Sequence, residues 1–472
     1  MVFPRPKQVA AALACAFPLA AVAASDTELK ELREQVKQLR ESYEKRIEAL
    51  EKRLAQTEAN ASKAEQSAGQ AQSAAQQAVQ GAQERTANPN AFNPEVSVIL
   101  NGTYTRLSQD PNAFQITGFV PSLGEVGPAP RSFSLGESEL NIAANIDPWF
   151  RGSFIAAVTP ENHIEVEEAF FQTLGLSQGF ILKGGRFFSG IGYLNEQHAH
   201  FWDFTDAPLP YKAFFANQLG NDGVQLKWVA PTDLFVELGV EGGRGQAFPS
   251  TDRNKNGNTL GSVFAHVGGD VGASHSWRAG VSEVRTSPRD RAFDDTDSLG
   301  GATVNSFSGK SRTTLADFIY KWAPDGNPKY TNFKLQGEYM RRRENGELAS
   351  NSLTGLCAGG CTDSYSSKQS GWYLQGLYQF MPYWRVGLRH DGLSYGTVDI
   401  GLITNGTLAS TDLPVLQAHT PKRNTIMVDW SPSEFSRIRL QYAQDKSRIG
   451  ETDNQIWLQY IMSLGVHGAH KF

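Results

Sequence analysis

From Glu95 onward, short runs alternate apolar with polar or small residues, and the connections between the runs alternate in length. Val96, Val98 and Leu100 alternate, as do Leu140, Ile142, Ala144 and Ile146. The same holds for Phe150 to Val158, for Leu234 to Val240, for Phe333 to Tyr339 and for Ile456 to Leu464. A period of two marks a strand with one apolar face, and many such runs at regular spacing specify a large antiparallel sheet. Sixteen candidates fall at 95–107, 134–146, 150–160, 164–176, 180–188, 222–229, 234–243, 260–269, 275–286, 311–322, 330–343, 369–380, 383–395, 422–430, 434–446 and 454–466. Short connections such as Asp147-Pro148-Trp149, Ser177-Gln178-Gly179 and Ser431-Pro432-Ser433 alternate with long polar ones at 108–133, 189–221, 244–259, 287–310, 344–368 and 396–421.

An even strand number with short turns on one rim and long loops on the other is the pattern of a transmembrane barrel. Closure is required, because an open edge would leave backbone groups unpaired in lipid. Trp149, Trp228, Trp322, Phe380, Trp384 and Trp430 stand beside the short turns, where an interfacial girdle belongs. The last residue, Phe472, is an aromatic of the kind such barrels present for assembly. The expected fold is mainly β: a transmembrane antiparallel β-barrel of about 16 strands over 95–472, preceded by an N-terminal α-helical coiled coil.

Composition agrees with this fold and removes its rivals. A membrane-spanning helix needs about 18–20 apolar residues in a row, and the nearest run, Val9 to Ala24, is short and Ala-rich. The 44 basic and 49 acidic residues leave a net charge of −5, which excludes a nucleic-acid partner recognised by charge. No nucleophile elbow, zincin helix or phosphate loop is written in the chain, so no enzyme is expected.

Arg5, Lys7, the apolar Val9–Ala20 and the small residues Ala21-Val22-Ala23 read as a secretory signal peptide over 1–24. Export leaves Cys357 and Cys361, whose setting in an oxidising compartment predicts a small disulfide. Residues 26–85 are rich in Glu, Lys, Gln and Ala. Leu29, Leu32, Val36, Leu39, Tyr43, Ile47, Leu50 and Leu54 follow a heptad with one stutter, and Ala61 to Ala82 continue it. A seam of this kind needs partner helices, so 26–85 is expected to form a periplasmic coiled coil joining copies of the chain, with a trimer favoured. The prolines and asparagines of 86–94 make that segment a linker.

A 16-stranded barrel leaves an aqueous lumen, and selectivity then comes from lumen charges and infolded loops. Asp317, Lys321, Lys334, Glu338, Arg385, Arg389, Arg437 and Arg439 alternate with apolar neighbours and are expected to line the pore. The loop 189–221 is the expected constriction, with Glu196, His198, His200, Asp203 and Asp206 at its face. In an extended chain Glu196, His198 and His200 point the same way, and a carboxylate with two imidazoles is a donor set for zinc. No cofactor is required; zinc is the metal for which this donor set is a candidate. His163, Glu165, Glu167 and Glu168 cluster on the fourth candidate strand without an assigned role. Asp252-Arg-Asn254-Lys-Asn256-Gly257 matches the first half of a calcium loop, but Val263 stands where a bidentate Glu belongs.

In layout the mature chain resembles Gram-negative outer-membrane porins that carry an N-terminal periplasmic coiled coil, and is similar to the trimeric phosphate- and carbohydrate-selective ones. The stretches Glu167-Glu-Ala-Phe-Phe-Gln-Thr-Leu-Gly175, Gly185 to His200 and Phe201-Trp-Asp-Phe-Thr-Asp-Ala-Pro-Leu209 look like a porin-like family described as zinc-regulated outer-membrane receptors. The resemblance implies a bacterial outer-membrane channel for small hydrophilic solutes or ions, in contact with outer-membrane lipid. It carries two alternatives: zinc-linked uptake through Glu196, His198 and His200, or a structural tether to the cell envelope. A plugged, energy-coupled receptor is not implied, because a coiled coil stands where the plug would be and no energy-coupling box is evident.

Overall fold

The computed structural model describes residues 94–122, 126–160, 163–352, 357 and 360–465, together with Glu34, Lys37, Glu44 and Lys52, which are helical and exposed. The signal peptide (1–24), the rest of the coiled coil (26–85), the linker before Pro94 and Phe472 lie outside the described residues.

The unit Phe92–Phe472 is one sheet. Its segments are β1 (Glu95–Leu107), β2 (Ser132–Leu135), β3 (Ser138–Asn145), β4 (Phe150–Val158), β5 (Ile164–Thr173), β6 (Phe180–Phe188), β7 (Gly220–Val229), β8 (Phe235–Gly243) and β9 (Leu260–Val271). They continue as β10 (His275–Thr286), β11 (Arg291–Thr296), β12 (Ala302–Trp322), β13 (Asn332–Ser350), β14 (Cys361–Met381), β15 (Trp384–Ile400), β16 (Lys422–Ser433), β17 (Ser436–Lys446) and β18 (Asp453–Gly465). β2 and β3 both pair with β1 and are one strand broken at Gly136–Glu137. β10 and β11 both pair with β12 and form a second broken strand. The sheet therefore has 16 antiparallel strands. It closes where β18 pairs with β1, from Ser97 opposite Gly465 to Leu107 opposite Gln455.

Alternation sets the two faces. Phe318, Tyr339, Leu374, Leu388, Ile426, Leu440 and Leu458 are exposed on the outside, while their neighbours in sequence point inward and are buried. Trp384 and Trp430 stack beside short turns with ring centroids 6.0 Å apart, and Phe180 and Trp228 approach to 6.4 Å. Cys357 and Cys361 are joined by a disulfide across the β13–β14 connection, with Cα atoms 5.1 Å apart.

Two expected loops are largely strand. β12, β13 and β14 have 21, 19 and 21 residues, so much of 287–310 and 344–368 is paired. The added lengths carry Lys310 and Lys368 on the outside. The outside of these ends is mostly polar and the inside carries only scattered apolar residues such as Phe307, Leu348 and Tyr365, so there is little hydrophobic alternation to read, yet the backbone ladder continues from Leu315–Met340 to Asn305–Ser350.

The lumen is not simply aqueous. Val120, Phe293, Phe307, Leu348, Tyr365, Leu402, Leu413 and Val415 form an apolar cluster toward the long-loop rim. A second cluster, described below, lies farther in. The outward band makes its own prediction: Leu458→Arg lowers folding stability in phospholipid vesicles by about 2–4 kcal/mol if it sits near the bilayer midplane, measured by urea titration.

Candidate functional site

The connection between β6 and β7 turns into the barrel. Gly192, at φ 63°, begins the turn, where a Cβ would collide with the Glu338 carboxylate. The segment then makes a 3-10 turn at Ala199–Phe201 and the short helix α1 (Leu209–Phe215), all of whose residues are buried. Ile191, Leu194, Trp202, Leu209, Phe214 and Phe215 pack on inward Phe264, Val284, Leu315, Met340, Tyr373 and Leu393. Apolar inward positions on the wall thus match the apolar loop.

The charged wall residues hold this loop in place. Glu338 accepts hydrogen bonds from the Leu194 and Tyr193 backbone N–H (3.0 and 3.3 Å) and from the Tyr211 and Tyr373 hydroxyls (2.8 Å each). Asp203 meets Lys334 Nζ at 2.7 Å and Arg385 at 3.1 Å. Asp206 meets Arg389 at 3.1 Å, Lys212 at 3.0 Å and also Arg423. Arg437 donates to the His200 and Trp202 carbonyls, and Arg439 to that of Trp202 at 2.8 Å. Asp317 faces Arg278 at 3.5 Å, and Arg278 donates to the Gly192 carbonyl. Seven of the eight side chains expected to line the pore are therefore engaged with this loop, directly or through Arg278. The eighth, Lys321, faces a cavity.

Burial would raise the Asp206 pKa, but the charges of Arg423, Lys212 and Arg389 hold it well below the ordinary 3.8. The stability it contributes is present above that value and lost only as pH falls through the depressed one. Burial likewise opposes the charged form of His198, yet hydrogen bonds to Glu167 and Glu168 and the Glu139 charge raise its pKa well above 6.5.

Two cavities flank the loop along the inner face of β1. On the short-turn side about 420 Å³ is lined by Ser97, Ile99, Glu139, Glu168, His198, His200, Lys321, Lys334, Arg385 and Arg437, among others. On the other side about 280 Å³ is lined by Asn101, Thr103, Glu137, Ala199, Trp202, Asp206, Trp457 and Gln459, among others. Ile99 lines the first cavity and Asn101 the second, and the loop stands between the two as a neck.

At that neck the structure brings His198 and His200 together, their rings stacked at 5.9 Å. Glu196 does not join them. Its carboxylate lies 3.7 Å from Lys227, which pairs with Glu237. The common direction assumed an extended chain, and the turn before Ala199–Phe201 breaks it. In place of Glu196, His198 meets Glu167 (3.0 Å), Glu168 (3.1 Å) and Glu139 (3.4 Å), and His200 meets Glu139 at 2.6 Å. Adjacent Glu167 and Glu168 both reach the lumen because β5 is bulged there. Ile155 opposes Glu168 and Ala156 opposes Val166, which leaves Glu167 as the extra residue. In the calcium-like loop, Asp252 is held by Arg244 at 2.9 Å.

No family model matches the chain. It is 29% identical over 411 residues to an uncharacterized protein of Aquifex aeolicus (strain VF5), covering 81% of this chain and 80% of that one. Among solved structures it resembles outer-membrane porins. In-vitro folded OmpT of Vibrio cholerae, in its trimer form, aligns with 10% identity over 79% of this chain and 99% of that chain, at a TM-score of 0.47. The outer-membrane channel DcaP of Acinetobacter baumannii aligns with 11% identity over 79% and 97%, at 0.45. Salmonella typhi OmpF aligns with 10% identity over 79% and 97%, at 0.46. At these identities no residue role passes from them to this chain.

The anchors can be tested in turn. Glu338→Ala leaves two backbone N–H groups and two hydroxyls without their acceptor and costs about 3 kcal/mol or more; the urea midpoint falls and trypsin gains access at Lys212. Asp206→Asn leaves buried Arg389, Arg423 and Lys212 undercompensated, at about 3–5 kcal/mol. In wild type the Asp206 carboxylate stays ionised at about pH 5 as at about pH 7, because its depressed pKa lies below both, and it protects the amides of 203–212 against hydrogen exchange. In the Asn variant that protection is reduced at both.

Proposed function

We propose that the protein is a porin-like channel of the bacterial outer membrane for small hydrophilic solutes, narrowed by the loop that β6 and β7 carry into the lumen. The observation that carries this reading is the pair of cavities lying end to end along β1 on either side of the neck. The walls there mix carboxylates with lysine and arginine, which suits polar solutes of either sign better than apolar ones. The closed sheet with an apolar outside supports insertion in lipid. The heptads of 26–85 support a trimer whose coiled coil stands in the periplasm.

Zinc-linked uptake is favoured by one observation, the carboxylates gathered around His198, and is taken up below. In the tether reading, 26–85 spaces the barrel from the cell wall and flow is incidental. Removing 26–85 separates it from the channel: a channel keeps its conductance and loses only its grouping into threes.

The decisive measurement is single-channel conductance of the mature protein in planar bilayers. Ohmic steps are expected, larger in Trp202→Ala because the indole lines the second cavity. Absence of steps in both proteins overturns the channel.

A further inference from the structure

Three separate pieces of the chain bring nitrogen and oxygen donors to one point at the neck. β3 contributes Glu139, the bulge of β5 contributes Glu167 and Glu168, and the infolded loop contributes His198 and His200. One ligand atom from each of Glu139, Glu167 and His198 lies within 4.8 Å of the others. His198 Nδ1 is 3.0 Å from Glu167 Oε2 and 3.4 Å from Glu139 Oε2. Two ligands bound tetrahedrally to a zinc-sized ion at about 2.0–2.1 Å stand about 3.3 Å apart, so these separations match two edges of that tetrahedron.

The surroundings are those of a metal-bound imidazole. His198 Nε2 is 3.1 Å from Glu168 Oε2, and Glu168 Oε1 is fixed in turn by the Phe188 backbone N–H at 3.0 Å. A carboxylate on one ring nitrogen sets the tautomer and turns the other nitrogen toward the ion. Glu139 Oε1 is likewise held by His200 Nδ1 at 2.6 Å, which leaves Oε2 for the shared point.

A second observation is a further carboxylate set against Glu167. Glu137, at the break between β2 and β3, lies against Glu167 and within the field of Glu139 and His198. Its Oε1 is buried and has no hydrogen-bond partner among the described residues. Two carboxylates brought together in a buried place need a proton or a cation between them. Four carboxylates gather here against two imidazoles and the nearby Lys183.

We propose that Glu139, Glu167 and His198 bind one divalent transition-metal ion at the neck, with Glu137 or a water in the fourth position and Glu168 orienting the imidazole. The mixed nitrogen and carboxylate donors suit zinc and its neighbours better than calcium or magnesium, which take oxygen ligands. The ion would sit beside the first cavity, which Glu139 and His198 line. Binding needs only the folded barrel and loop, whereas block of flow rests on the channel reading, so the two are measured apart.

The test uses the full chain in detergent, stripped with a chelator and titrated with zinc chloride by calorimetry. One equivalent per chain is expected. Affinity falls about tenfold or more in His198→Ala and in the near-isosteric Glu167→Gln, and by about tenfold in Glu168→Gln, which acts through the imidazole. His419→Ala, on a loop away from the site, binds as wild type. Zinc-edge X-ray absorption on the loaded protein shows only nitrogen and oxygen neighbours at about 2.0–2.1 Å. Absence of stoichiometric binding, or equal binding by wild type, His198→Ala and Glu167→Gln when all three give the same β-rich circular dichroism, overturns the site even if the barrel conducts. In bilayers, zinc at saturating concentration reduces the steps of wild type and not those of His198→Ala.

Discussion

Every backbone amide on a lipid-facing sheet must find its partner within the sheet. Here that demand is met at one place, where β18 lies along β1. Once the edges meet, alternation sends every second side chain outward and every other one inward, and the rest of the architecture follows from what each face meets. The outside is an unbroken apolar belt, and the inside becomes a container that needs contents.

Most of those contents are one loop. Its apolar side chains pack as a globular core would, and its polar groups are met by a ring of arginines, lysines and one glutamate from the wall. Buried charges are costly unless paired, and nearly every inward charge of β13 to β17 is paired with this loop or with a neighbour on the wall. The arrangement pins the loop against one side of the barrel and leaves free volume along β1. Most of the charge around the lumen is thereby neutralised.

The strands were legible because lipid outside and protein or water inside impose a period of two. The starts of β1, β6 and β10 fall where the alternation begins, at Glu95, Phe180 and His275. The upper halves of β12, β13 and β14 were not legible, since above the apolar belt the outside is largely polar and the inside carries only scattered apolar residues such as Phe307, Leu348 and Tyr365. Inward direction was legible for Lys334, Arg385 and Arg389, but their partners were not, because each lies more than a hundred residues away in the chain. The neck was half legible. His198 and His200 stood out by spacing, whereas Glu139 is supplied by another strand and Glu167 turns inward only through a bulge that no alternation rule marks.

The wall residues that anchor Asp203, Asp206 and Trp202 come later in the chain than the loop itself. Asp203 waits for Lys334, 131 residues on, and Trp202 waits for Arg437, 235 residues on. Contacts of such long range form slowly, because the chain between them must be ordered before they repay its lost freedom. The loop is therefore seated only once β13 to β17 stand beside it, and the pairing of β18 with β1, of longer range still, completes the wall around it.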